Sequence, residues 1–149
     1  MAEGPTNALV SGDGPAWPVG MGALAERMGI QVSEASSQRV VATMPVDGNT
    51  QPYGLLHGGA SCVLAETLGS IGASMHAAEA FGGYALGIDI TATHHRAART
   101  GTVTGVATAL HRGLNVASYE IVITNSAGQR LCTARLICLL KRWPGTSEG

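Results

Sequence analysis

Glu66 is the only Asp, Glu, Lys or Arg between Asp47 and Glu79, and it sits inside "GLLHGGASCVLAETLGSIGAS", residues 54–74. A lone carboxylate in an apolar segment can act as a base or nucleophile if its surroundings strip away water, because lost solvation sharpens its basicity. The plain alternative is a solvated surface acid. Its helical neighbours one and two turns away favour chemistry. Gly59, Cys62, Val63, Gly69, Ser70 and Ala73 are small and nearly neutral, whereas a solvated face carries Lys, Glu, Gln or Arg. Small residues let a backbone, a helix or a ligand come close.

The start of the same segment holds a second element. In "LLHGGAS", Gly58 and Gly59 fall in the first helical turn, where unpaired N–H groups and the positive end of the helix dipole can hold a carbonyl oxygen as it gains negative charge. The two glycines equally suit a tight turn into the helix, and spacing leaves both roles open. Distance says more. Eight residues separate Gly58 from Glu66, about 12 Å along a helix, too far for one helix to aim both groups at one carbon. If they act together, Gly58 of one subunit meets Glu66 of another across a two-fold axis.

Other candidates are weaker. His94, His95 and Arg96, with Arg99 nearby, suggest a metal site or a grip on phosphate. Adjacent strand residues point to opposite faces, which argues against a shared metal. Arg96 or Arg99 against a phosphate is sensible chemistry, with a solvated strand end as the alternative. Cys62 with His57 could suggest a thiol nucleophile, but the pair lies about 140° apart on a helix, and Cys62 reads as a small buried thiol. Asp89, in mid-strand and away from any helix terminus, ranks below Glu66.

These residues need elements to position them. "MGALAERMGI" reads as a short helix ended by Gly29. "IQVSEA" and "RVVATMPV" read as strands joined by Ser36, Ser37 and Gln38. "DGNTQPYG" reads as a loop. A long helix runs from about residue 58 to 79, with Leu64, Leu68, Ile71 and Met75 as its core stripe and Glu66 facing away. Four alternating, β-branched strands follow: "YALGIDITATHHR", "GTVTGVATALHR", "NVASYEIVITN" and "QRLCTARLICLLKR". Their short links suit antiparallel neighbours. The expected fold is α+β, one long central helix packed on an antiparallel sheet of five or six strands. Residues 1–18, rich in Gly and Pro, read as a flexible extension, 19–143 as the domain and 144–149 as a frayed tail.

Composition bounds the function. The chain has 149 residues, 45% of them hydrophobic, enough for one domain with a substantial core. Nine Lys and Arg against ten Asp and Glu argue against nucleic acid as a partner. Only 13% of residues are charged, so part of the surface is expected to be hidden in an oligomer. Cys62, Cys132 and Cys138 show no C-x-x-C spacing, which fits a reducing cytoplasm and no zinc site. No signal peptide or membrane-spanning run is expected.

"QPYGLLHGGASCVLAETLGS", "GIDITATHHRAARTGTVTG" and "LHRG" together resemble the hotdog-fold acyl-CoA thioesterases of the phenylacetate/4-hydroxybenzoyl-CoA type, over residues 28–142. The bacterial 1,4-dihydroxy-2-naphthoyl-CoA hydrolases of menaquinone synthesis are the nearest likeness. The resemblance implies a dimer, commonly a dimer of dimers, with two sites straddling the interface. It matches Glu66 to the catalytic carboxylate and Gly58 to the backbone donor for the thioester carbonyl. Gln51 and His57 match polar groups beside the thioester, and Ser70 a hydroxyl that positions the acid or water. Gly87, His94, His95, Arg96 and Ala97 fall on a CoA or acyl contact segment. His111, Arg112, Gly113, Leu114, Asn115 and Val116 fall on a second, where "HRGLNV" lacks a serine and a basic residue expected of the naphthoyl enzymes. The implied activity is hydrolysis of an aromatic acyl-CoA, with the naphthoyl ester as first choice and no metal or cofactor. Broad acyl-CoA specificity, a hydratase or dehydratase on the same fold, and a non-catalytic CoA-ester binder are the alternatives.

Overall fold

The computed structural model describes residues 20–144, so the extension expected over residues 1–18 and nearly all of the expected tail lie outside the described residues. A short helix, α1 (Ala23–Arg27), leads into strands β1 (Gln31–Ala35) and β2 (Arg39–Pro45). The long helix α2 spans Gly58–Phe81. After it come β3 (Gly83–His94), β4 (Thr102–Arg112), β5 (Val116–Thr124) and β6 (Arg130–Arg142). The six strands form one antiparallel sheet in the order β1-β2-β4-β5-β6-β3. This is the expected long helix on an antiparallel sheet, the hotdog fold.

Period-two alternation sets which side chains meet the helix. Val40, Ala42 and Met44 of β2, Val103 and Ala107 of β4, Tyr119, Ile121 and Ile123 of β5, and Ala134, Leu136 and Cys138 of β6 are all buried. Leu64, Leu68, Ile71 and Met75 of α2 pack into them, as their spacing requires. Burial of each such side chain contributes about 2 kcal/mol.

One feature departs from expectation. Some of the small residues near Glu66 admit the chain's own sheet, while Gly59 is exposed and Cys62, Val63 and Ser70 are half-buried. A Cβ on Gly69 would stand 2.6 Å from Leu136 Cδ2, and one on Gly72 would stand 2.7 Å from the Tyr119 ring. Ala73 is fully buried. The sheet therefore wraps α2 more tightly than a single amphipathic stripe suggests, and twelve of its residues are buried. Glu66 itself is exposed.

Strand β3 lies at one end of the sheet and is bonded to β6 alone. Its pairing slips between Gly87 and Asp89, leaving Ile88 as the extra residue of a bulge. Leu86 and Ile88 are 48% and 58% exposed on this edge.

Candidate active site

The helix start is built by a loop stapled from both sides. Asn49 gives its side-chain amide to the carbonyls of Met28 and Pro45, each at 2.8 Å. Turn propensity in "DGNTQPYG" carries no sign of that staple. The Asn49 carbonyl accepts the His57 N–H at 2.9 Å, and the Ala98 carbonyl accepts that of Leu56 at 2.7 Å. His57 then caps α2, its Nδ1 accepting the Gly59 N–H at 2.8 Å. An accepting Nδ1 leaves the ring proton on Nε2, a donor. The carbonyl of His57 accepts from Ala60 and Ser61 at 2.9 and 3.3 Å. The Gly58 N–H is thus left without an acceptor among the described residues.

That N–H belongs to a cleft of about 350 Å³ that gathers six expected site residues: Gln51, Gly58, His94, His95, Arg96 and Ala97. Ser61, Ala98 and Leu131 line it too, and the sequence carried no signal for them beyond their neighbours. Gln51 Oε1 accepts the Tyr53 and Leu55 amides at 2.5 and 3.4 Å, which leaves its NH₂ as the uncommitted end. The His94 ring lies against the helix start: a Cβ on Gly58 would stand 2.9 Å from its Nε2. His95 Nε2 bonds Thr133 Oγ1 at 2.9 Å. Both rings border the one cleft, His94 as the last residue of β3 and His95 just beyond it.

Glu66 opens elsewhere. A cleft of about 250 Å³ is lined by Gly20, Met21, Glu66, Thr67, Ser70 and Ile71. One chain therefore does not bring Gly58 and Glu66 to one point, in keeping with their separation along the helix. Beneath the carboxylate lies Gly87, where a Cβ would stand 2.6 Å from Glu66 Oε1. Gly87, expected as a contact for CoA or the acyl group, is placed by the fold as the seat of the acid.

Across the ladder from Gly87 is Cys138. Burial pushes its thiol up to about 11, while a hydrogen bond from Ser70 pulls the other way and the nearby Glu66 charge adds to the rise. The thiol is therefore neutral at ordinary pH. Ser70 and Glu66 both act on this one side chain. Cys62, Cys132 and Cys138 are free thiols, and no cluster of metal-ligating side chains occurs among the described residues. Asp89 is exposed beyond the bulge, opposite Ile137.

The segment from His111 to Val116 turns between β4 and β5, away from the Gly58 cleft. His76 Nε2 bonds the Gly113 carbonyl at 2.7 Å, Arg112 Nη1 donates to Ser37 Oγ at 3.0 Å, and the Leu140 N–H donates to the Asn115 carbonyl at 2.8 Å. His111 and Arg112 border a separate groove with Gln38, Arg39 and His76. Leu114 and Val116 are exposed at 74% and 39%. No helix among the described residues is long and apolar enough to cross a membrane.

Comparison with known proteins agrees with this fold. Residues 53–132 match the family model described as the thioesterase superfamily. The proofreading thioesterase EntH of Cronobacter turicensis is 46% identical over 117 residues, 78% of this chain and 84% of the relative. A thioesterase from Haemophilus influenzae superposes with a TM-score of 0.77 at 35% identity, over 85% of this chain and 87% of that one. A mutant thioesterase from Pseudomonas aeruginosa gives 0.74 at 36% identity, over 79% and 85%.

Proposed function

The chain belongs to the thioesterase superfamily and is a thioester hydrolase, and from that membership we propose that it hydrolyses an aromatic acyl-CoA to the free acid and CoA. Dihydroxynaphthoyl-CoA is the first choice of substrate. The observation that carries the reading is the unengaged Gly58 N–H at the head of α2, opening on a cleft with Gln51, His94 and Arg96.

In the proposed mechanism the thioester carbonyl docks on the Gly58 N–H, aided by the Gln51 amide and His57 Nε2–H. Negative charge developing on that oxygen is met by a fixed donor at the positive end of a 24-residue helix. Glu66 of a second subunit takes the proton of an attacking water, or attacks the carbonyl itself. Either route breaks the C–S bond, releases CoA as the thiol and leaves the acyl group as a carboxylate, after water has added once. Ser70, one turn from Glu66, positions the acid or water. Arg96 grips CoA phosphate.

Two subunits are needed because one chain separates the two groups. The twelve-residue open edge of β3, with Leu86 and Ile88 exposed on it, supports pairing with a second copy. A dimer of two such dimers is the expected assembly, acting on a small-molecule substrate in the cytoplasm.

A second reading has its own support. The relative from Cronobacter turicensis is named a proofreading thioesterase, which favours a broad enzyme that clears unwanted acyl thioesters over one serving a single intermediate. A panel of aromatic and aliphatic acyl-CoAs, read by free thiol, tests both. A steep preference for aryl esters, naphthoyl highest, supports the first. Comparable kcat/KM across the panel supports the second, and no thiol release from any member refutes both.

A further inference from the structure

Glu66, Ser70 and Ser74 follow one another along α2 at four-residue steps, so they share one stripe. All three meet the same end of the sheet. Glu66 Oε1 lies over Gly87, and Ser70 neighbours the thiol of Cys138, the cross-strand partner of Gly87. Ser74 Oγ accepts the Ala85 N–H at 3.1 Å. Ser74 is 7% exposed, and the mechanism above makes no use of it.

The Ala85 amide is free to make that bond for a reason of register. Ala85 stands opposite Leu140 of β6, and Leu140 sends its own N–H the other way, to the Asn115 carbonyl on the β5 side. Opposed residues in an antiparallel pair either exchange both hydrogen bonds or neither, so the Ala85 N–H points off the open edge of the sheet. Ser74 reaches around from the helix and takes it. Two residues further on, the ladder slips at the Gly87 bulge, where pairing with β6 constrains the strand least.

We propose that Ser74 is a positioning residue for Glu66. Its hydroxyl ties β3 to α2 just before the bulge, so that Gly87 stays at a fixed depth beneath the carboxylate. The helix between Ser74 and Glu66 is a rigid spacer of about 12 Å, and the strand between Ala85 and Gly87 spans about 7 Å. With Ser74 engaged, the two spacers hold the acid and its seat in one frame. Without it the edge strand shifts, and misplacement of a reacting group by about 1 Å can cost about 100-fold in rate. The proposal rests on the reading of Glu66 as the reacting acid.

The test is steady-state thiol release by the full-length protein with benzoyl-CoA, comparing Ser74→Ala and Ser74→Thr in native and Glu66→Gln backgrounds. Ser74→Ala is expected to lower kcat about tenfold with KM within about twofold, and Ser74→Thr, which keeps the hydroxyl, to restore kcat. In the Glu66→Gln background the same Ser74→Ala change should cost less than about twofold, because a residue acting through Glu66 has nothing left to position. An equal loss in both backgrounds would make Ser74 merely structural and overturn the proposal. So would an unchanged kcat in Ser74→Ala while Glu66→Gln is inactive. If Ser74→Ala does not fold, Ser74→Cys keeps the volume with a weaker acceptor and is judged by the same comparison. A fully active Glu66→Gln would remove the reading of Glu66, and this proposal with it.

Discussion

Glu66 Oε1 fills the space that a side chain on Gly87 would occupy, 2.6 Å from where that Cβ would stand. Gly87 is thereby a matter of room, and its effect passes through the acid. The φ angle of Gly87 is not positive, so alanine suits the backbone there. Gly87→Ala should fold, with thermal stability close to native, and lose at least about tenfold in kcat as the carboxylate is pushed aside. Native turnover in a folded Gly87→Ala would show that the acid tolerates displacement.

Glu66→Gln keeps the shape of the side chain and removes its charge. Turnover is expected to fall at least about 100-fold, the scale of losing a positioned base or nucleophile, with KM changed much less. Turnover within about threefold of native would return Glu66 to the role of a solvated surface acid.

His57 caps α2, and in the proposed mechanism its Nε2–H is also a donor beside the thioester. His57→Ala should lower stability by about 1 kcal/mol, the usual cost of a lost N-cap. His57→Asn supplies a capping oxygen and should recover most of that stability without recovering the Nε2 donor. Denaturant titration and thiol release on the two variants separate these effects. If both variants are equally destabilised, Nδ1 does not cap the helix.

The buried thiols and phenol set an alkaline limit. Burial raises Cys138 to about 11 from a usual value of 9.0, and raises Cys132 and Tyr119 as well. These groups ionise more readily in the unfolded chain, so the stability that they lend is complete below pH 9 and is lost as pH climbs towards 11. Melting temperature should fall over that window and less steeply in Cys138→Ala. A native melting temperature that is flat from pH 9 to 11 would contradict this.

Much of this architecture is legible in residue order. The four-and-three spacing of Leu64, Leu68, Ile71 and Met75 places the core stripe, and alternation places β3 to β6, because each period reports which face meets the interior. The helical rise alone separates Gly58 from Glu66. Three things are not legible. The meeting of Glu66 with Gly87 depends on a bulge that shifts register by one residue, which no local pattern announces. His57 as a cap escapes a reading by propensity, since Ser, Thr, Asp and Asn dominate that position. The small residues around Glu66 suggest space for a visitor, whereas Gly69 and Gly72 admit Leu136 and Tyr119 of the same chain. Glycine spacing shows that something approaches closely, without showing what.

The central claim is that Gly58 of one subunit and Glu66 of another form one site, and subunit mixing tests it most directly. Glu66→Ala homodimers lack the acid. Gly58→Val homodimers carry a side chain that drives into His94 at the helix start, so circular dichroism and size must first show that they fold and pair. Each preparation alone should be nearly inactive. In a mixed dimer one site combines Gly58 of the first chain with Glu66 of the second and is native, while the other carries both lesions. Thiol release should therefore reappear on mixing, approaching half the native rate per mixed dimer. If subunit exchange is demonstrated and activity stays at the level of the separate preparations, Gly58 and Glu66 do not meet across the interface, and the shared site is wrong.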